Sequence, residues 1–360
     1  MALRIIQAGL GGWGRNWYHN ILRPADAVTV TAWVDADPQV LEMARQMLDL
    51  PPERCFTSLA DALNAAPADA VLITAALPGH VPLALEALEA GKHVLVEKPF
   101  APTLAEARRV VAAAAAAGRV LMVSQNYRFF PAPQTVAALV RSGDLGELGA
   151  IAIDFRRYAN RAPRDGNRHY ALPHPLLMDM AIHHLDLLRM VVGREPASVH
   201  CHAWNPPWSN FQHPAAAAAT IVFEGGLVAS YRGSWVSPGP ETPWAGEWRM
   251  ELTGGEVTWT SRDGRERSDE ADRVSVKRLG KAARRVKLPS LPALDRAGSL
   301  AAFVQAINEG REPVSSGRDN LGSIALMHAM VESAASGLTV PVPRGEPGDL
   351  APAENAPSQG

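Results

Sequence analysis

Cysteine is almost missing from this chain of 360 residues, which holds only Cys55 and Cys201. Two scattered thiols exclude a disulfide scaffold and a cysteine metal cluster, and they suit a reduced, cytoplasmic protein. No apolar run is long enough to span a bilayer. Met1-Ala2-Leu3-Arg4-Ile5 leads straight into a strand pattern and offers no signal-peptide cleavage site. A surplus of one charge is lacking too. The net charge of −2 argues against nucleic acid or a membrane surface as partner. The basic stretch 277–287 has no interleaved aromatics and reads as a solvated edge. The chain does have the length for two domains with ordinary cores.

The stretch His93-Val94-Leu95-Val96-Glu97-Lys98-Pro99-Phe100 organises the rest. Val94, Leu95 and Val96 suit an inner strand of a parallel sheet, buried on both faces. Pro99 stops the ladder, so Glu97 and Lys98 fall at the strand's carboxyl end. Ligands of open α/β sheets sit there. Lys98 is then an ammonium placed to meet a ligand; the plain alternative is a solvated loop lysine.

Upstream, residues 3–7 form a first strand, followed by Gly9-Leu10-Gly11-Gly12-Trp13-Gly14. This G-x-G-x-x-G run lies between a strand and a helix pattern, and a second strand at 29–34 ends in Asp35. The glycines let backbone approach a pyrophosphate, and the helix N-terminus offers its N–H groups to the anion. Asp35 stands where a carboxylate accepts from ribose hydroxyls. Ala36 and Asp37 follow, with no arginine for a 2′-phosphate, which favours NAD over NADP. The alternative is a glycine turn of another α/β protein, with Asp35 as a helix cap.

Helices at 38–50 and 58–65, a strand at 70–74, a turn at 77–80 opening a helix to 90, a helix from the cap Thr103 to Gly118, and a strand at 120–123 continue the alternation. Residues 1–125 therefore read as an NAD(P)-binding, doubly wound parallel sheet. The pattern changes after Gln125. A helix at 132–142 and strands at 151–158, 197–202, 217–223, 227–235, 248–253 and 256–260 describe a mostly antiparallel α/β domain over 126–340. Helices at 300–308 and 319–336 close it. Residues 341–360 are rich in proline and glycine and read as a disordered tail.

Residues 176–192 are apolar almost throughout and read as one buried helix. Asp179, His183 and Asp186 interrupt it at i, i+4 and i+7, on one face. Burying such groups is costly unless they are paired or used. Three explanations stay open: a catalytic stripe facing a cleft, an Asp179–His183 pair between helices, and a metal pair for which no third ligand is evident.

Taken in order, Gly9-x-Gly11-x-x-Gly14, Asp35, the run from Gly91 to Pro99, Asn126-Tyr127-Arg128-Phe129 and Asp179-x-x-x-His183-x-x-Asp186 resemble the glucose–fructose oxidoreductase / inositol dehydrogenase (Gfo/Idh/MocA) family. The resemblance covers most of residues 3–340. It implies a Rossmann domain, a second α/β domain with a large open sheet, and assembly through that sheet as homodimers or homotetramers. It implies reversible hydride transfer between a nicotinamide cofactor and a carbinol of a sugar or cyclitol. It makes Lys98, Asp179 and His183 the catalytic groups, and no metal is expected. The cofactor would lie against Gly9, Leu10, Gly11, Gly12, Trp13, Gly14, Asp35, Pro78, His80, Glu97 and Lys98. Arg128, Asp186 and Tyr158 would line the substrate pocket. One stretch departs from the family pattern: Pro173-His174-Pro175 precedes Asp179, where many members carry glycines.

Abstraction of a hydroxyl proton needs a base, and the developing alkoxide needs a donor. His183 titrates nearest neutrality and is the expected base. Asp179 would orient it or bind a neighbouring hydroxyl, and Lys98 would donate to the reacting oxygen. Six of the nine tryptophans lie in the second domain, where aromatic faces suit a sugar ring or simply fill a core. Two rival functions share the fold: a dinucleotide-binding sugar sensor and a glycosidase with resident NAD.

Overall fold

The computed structural model describes residues 2–163, 166–265 and 268–344. The first sheet contains β1 (Leu3–Ala8), β2 (Val28–Val34), β3 (Cys55–Phe56), β4 (Ala70–Ile73), β5 (His93–Val96) and β6 (Leu121–Val123). All pairs are parallel, in the order β3-β2-β1-β4-β5-β6. That order reverses between β1 and β4, and the reversal opens the crevice where such sheets take a dinucleotide. Helices α1 (Gly12–Trp17), α2 (Pro38–Leu48), α3 (Leu59–Ala65), α4 (Leu77–Glu89) and α5 (Leu104–Ala117) connect the strands. Their caps follow local chemistry: the Asp37, Ser58 and Thr103 side chains accept from the N–H of Gln39, Asp61 and Glu106. The expected turn at 77–80 is the first turn of α4, since Pro78 needs no N–H partner there.

The second sheet has nine strands: β7 (Leu148–Arg156), β8 (Pro196–Trp204), β9 (Ala216–Phe223), β10 (Val228–Ser234), β11 (Glu247–Leu252), β12 (Gly255–Thr260), β13 (Arg273–Arg278), β14 (Arg284–Arg285) and β15 (Val340–Pro341). Their order is β14-β13-β12-β11-β7-β10-β9-β8-β15, and only β7–β10 is parallel. Helices α6 (Pro131–Ser142), α7 (Ile182–Val192) and α9 (Gly317–Ser336) cover one face of it. The strands alternate buried and exposed residues, so the other face is open. The basic stretch 277–287 runs from the end of β13 through the connecting turn to the edge strand β14 and just past it, and is largely exposed.

Two expectations need correction. The tail expected from 341 onward begins later: Pro341 pairs with Ser198, and the Val342 N–H donates to Ala197. The remainder, 345–360, lies outside the described residues. The sequence also predicts that both closing helices belong to the second domain alone. Yet Leu300 and Phe303 of α8 (Asp295–Glu309) pack with Ile5 and Trp17 beneath the first sheet. Helix α9 serves both cores, with Leu321 and Ile324 against the first and Leu326 and Met330 against the second. Each such buried side chain contributes about 1.5–3 kcal/mol, so α9, which is shared by both cores, locks the two sheets together.

Candidate active site

Val94, Leu95 and Val96 are fully buried, and the ladders to β4 and β6 end at Val96. Glu97 and Lys98 emerge at the carboxyl edge, as the strand chemistry requires. Glu97 stays buried, and its Oε1 accepts from Trp17 Nε1 at 2.7 Å, tying β5 to α1. Lys98 reaches across to the second unit. Its Nζ donates to the Asp179 carbonyl at 2.8 Å and to Asp179 Oδ1 at 3.0 Å.

Residues 176–192 are not one regular helix. Pro175–Ala181 is π-helical and α7 starts at Ile182. His174 ahead of it takes a left-handed φ of 45°, between two prolines that donate no N–H. The wider turn breaks the i, i+4, i+7 spacing, and the three polar side chains part company. Asp186 turns away from the cleft, and Arg128 Nε and Nη2 grip its two oxygens at 2.6 Å each. Ser323 and Asn320 add hydrogen bonds to it, and Asp319 holds Arg128 from the other side. This is the pairing a buried carboxylate demands. Arg128 and Asp186 therefore do not line the cleft as expected, and neither does Tyr158, which bridges to Val236 beside Glu241.

Asp179 does not pair with His183 either. Its Oδ2 meets His169 Nε2 at 3.2 Å, while Oδ1 takes Lys98. Burial would raise its carboxyl, but Lys98 and the His169 hydrogen bond outweigh that and hold it well below the usual range. The His169 ring is set edge-on against Trp235 and Phe211, 5.3 and 5.4 Å between centroids. His183 is buried and stacked on Tyr127, rings 4.0 Å apart and 5° from parallel. It has no hydrogen-bond partner among the described residues, and its Nδ1 is shut from solvent. Burial, then Lys98, then Arg262 push its pKa well below 6.5, leaving a neutral imidazole with a free lone pair.

A cleft of about 850 Å³ joins these groups, running from Gly11, Gly12 and Trp13 past His80 and Lys98 to Tyr127, Asp179 and His183. Pro173, Pro175, Met178 and Met180 form part of its wall, so the departure from the family pattern sits at the pocket itself. Trp235 and Trp244 line it, whereas Trp248 and Trp259 stack on each other in the sheet. Among the described residues no group of three His, Cys, Asp or Glu side chains is arranged to hold a metal.

The glycine loop fits a dinucleotide. Gly9 has a φ of +101°, and a Cβ there would lie 2.2 Å from the Ala75 backbone; one at Gly14 would lie 1.9 Å from the Gly9 carbonyl. Gly11 and Gly12, in contrast, face open space that a Cβ would enter. Tight packing on one side and an open cradle on the other suit close approach of a pyrophosphate. Asp35 braces the loop: Oδ2 accepts from the Leu10 N–H at 2.7 Å and Oδ1 from the Asp37 N–H at 3.0 Å. The Leu10 side chain belongs to the core with Trp33 and Leu41. Pro78 is exposed and outside the cleft wall, whereas His80 lines it, its two ring nitrogens on the carbonyls of Pro99 and Ala75.

His169 and Arg262 are the groups that sequence alone did not single out. Neither sits in a motif, and both reach the site only through the folding of the second sheet and its loops.

Fold and cleft together define a two-sheet dinucleotide-binding protein with ionisable groups of both units lining one cleft. Residues 3–125 match the oxidoreductase family with an NAD-binding Rossmann fold, and residues 133–260 match the GFO/IDH/MocA C-terminal domain. The D-apiose dehydrogenase of Paraburkholderia graminis is 30% identical over 92% of this chain and 88% of its own. The 1,5-anhydro-D-fructose reductase of Ensifer adhaerens is 27% identical over 81% and 85%. Among solved structures, the aldose-aldose oxidoreductase from Caulobacter crescentus complexed with glycerol has a TM-score of 0.81 at 22% identity, covering 95% of this chain and 100% of that one. The chain belongs to the GFO/IDH/MocA oxidoreductase family, and its first sheet is an NAD-binding Rossmann fold.

Proposed function

We propose that this protein is an NAD-dependent dehydrogenase of a carbinol in a sugar, a sugar derivative or a cyclitol, with Lys98, Asp179 and His183 as its catalytic groups. The observation that carries this is the convergence of Lys98 from the first unit with Asp179 and His183 from the second in one cleft. The glycine loop, Asp35, His80 and Glu97 hold the cofactor, which when bound supplies the hydride chemistry. Asp35 with no following arginine favours NAD over NADP.

Each side chain then has a distinct task. His183 is neutral at pH 7 and takes the hydroxyl proton on a ring nitrogen. Lys98 donates from Nζ to the same oxygen and stabilises the developing negative charge. Asp179, pinned by His169, holds the Lys98 Nζ at the right place. Trp235 and Trp244 offer apolar faces to the ring of a sugar. The proposal extends to a cytoplasmic setting, with Cys55 and Cys201 as free thiols, and to homo-oligomers built through the open face of the second sheet.

The test is nicotinamide absorbance with a panel of pyranoses, cyclitols and their keto forms, using NAD and NADP separately. Net reduction of NAD is expected, and it separates a dehydrogenase from a sensor or a glycosidase. Lys98→Ala and His183→Ala should each lower turnover by about 10²–10⁴-fold while NAD still binds. Normal turnover in His183→Ala would remove it from the base role.

A further inference from the structure

Arg262 follows β12 and carries a constraint that the preceding chemistry does not use. Its N–H donates to Asp272 Oδ1 at 3.2 Å, and its carbonyl accepts from the Trp244 N–H at 2.7 Å. Asp272 is buried and is itself anchored by Ser261 and the Ala132 N–H. Between these anchors Arg262 adopts a φ of +62°, a left-handed conformation costly for any residue with a side chain. The side chain so presented lines the cleft beside Tyr127 and His183.

The guanidinium lies over the Tyr127 ring, 4.5 Å from its centroid, and Nη1 donates to the Tyr127 hydroxyl at 3.1 Å. Its acidic partner among the described residues is Asp295, at a long 3.4 Å, and that carboxylate is shared with Asn126. Nε is buried and has no hydrogen-bond partner among the described residues. A guanidinium has five donors, and buried ones are normally satisfied. Bracing Tyr127 and Asp295 occupies two and leaves the strained backbone unexplained. The local field points the same way: Lys98 and Arg262 both push His183 toward its neutral form, with Asp179 opposing.

We propose that Arg262 is the subsite for a carboxylate on the substrate, so that the preferred substrates are hydroxy acids of the sugar series, aldonates or uronates, rather than neutral sugars. This rests on the dehydrogenase function proposed above. The planar fork of a guanidinium matches a carboxylate with two parallel hydrogen bonds. A phosphate, with its second charge, fits less well, because the neighbouring cation Lys98 is already committed to Asp179.

The test compares matched pairs, D-glucose with D-glucuronate and D-gluconate and D-galactose with D-galacturonate, with D-glucose 6-phosphate as a further anion. NAD reduction and thermal stabilisation of the NAD-loaded protein are both read. The wild type should favour the carboxylated members by about 10- to 100-fold in kcat/KM. Arg262→Met should collapse that ratio toward one, and Arg262→Lys should restore part of it. If Arg262→Met does not fold, the Arg262→Lys ratio decides, since a lysine cannot reproduce the fork. Equal or better use of the neutral sugars, preference for the phosphate, or an unchanged ratio in the variants would overturn the proposal. Stabilisation by glucuronate that depends on Arg262, without NAD reduction by any compound, would keep the subsite and sink the dehydrogenase. Neither stabilisation nor turnover with any carboxylate would sink the subsite.

Discussion

In the proposed role His183 would be an unusual base, because no hydrogen-bond partner among the described residues supports it. A histidine that must take a proton commonly leans on a carboxylate, and here the carboxylate leans on His169 instead. Burial and two cations oppose protonation of His183, so its inactive, charged form appears only in acid. The acid limb of kcat/KM for oxidation should therefore fall well below pH 6.5; a limb at or above 6.5 would assign the titration to another group. His169 acts one step back, by holding Asp179 toward Lys98. His169→Ala should lower kcat by about 10-fold with little change in KM for NAD, and His169→Gln, which keeps a donor near the Nε2 position, should recover most of it. If Gln is as poor as Ala, a role in orienting Asp179 is not what the ring supplies. Both residues show where sequence was readable: His183 stood out because an imidazole interrupted an apolar run, whereas His169 lies in a single 3-10 turn, Arg168–Ala171, too short for any periodicity to mark it.

Two elements carry the site, and they were legible to different degrees. The β1–α1 turn follows from local chemistry, since only glycine tolerates the φ at Gly9 and the contacts at Gly14. The two kinds of glycine there make opposite predictions. Gly14→Ala should compromise folding of the first unit, seen as lost thermal stability without ligand. Gly12→Ala, facing open space, should melt as the wild type does but bind NAD at least about 10-fold more weakly in a titration. Equal NAD affinity would place the pyrophosphate elsewhere. The regular helix that the sequence of 176–192 predicts is in error at Pro175–Ala181, which is π-helical. Its apolar composition fits either form, and the π turn depends on how His174 and the two prolines are held. That error had a chemical consequence, because regular spacing would have put Asp186 in the pocket.

At the scale of the whole molecule, the two sheets are joined by a buried polar knot as well as by α9. Arg128 links Asp186 on α7 with Asp319 on α9, and the attraction of these carboxylates outweighs the burial that would otherwise lower its pKa. Removing Asp186 takes the bidentate, fully buried partner from Arg128 and leaves it only the half-exposed Asp319 carboxylate among the described residues. Asp186→Ala should cost about 3–5 kcal/mol of stability, read as a lowered denaturation midpoint. If it raised KM for substrate at unchanged stability, Asp186 would be a ligand contact after all. Arg128 and Asp186 stand close in sequence to Tyr127 and His183 of the cleft wall, yet their side chains meet in the knot and not in the cleft.

The sequence by itself determined what depends on local order: the strand–glycine–helix cradle, the exit of Lys98 from β5, the capped helices, and the presence of a second, antiparallel sheet. Periodicity and backbone stereochemistry act over a few residues, so they are written where they act. Only the tertiary structure decided which side chains meet. Lys98 and Asp179 are 81 positions apart and bonded at 3.0 Å, and Tyr127 and Arg262 are 135 apart and stacked. Such partners are fixed by how two sheets and their shared helices pack, a balance of burial and charge pairing that no local window contains.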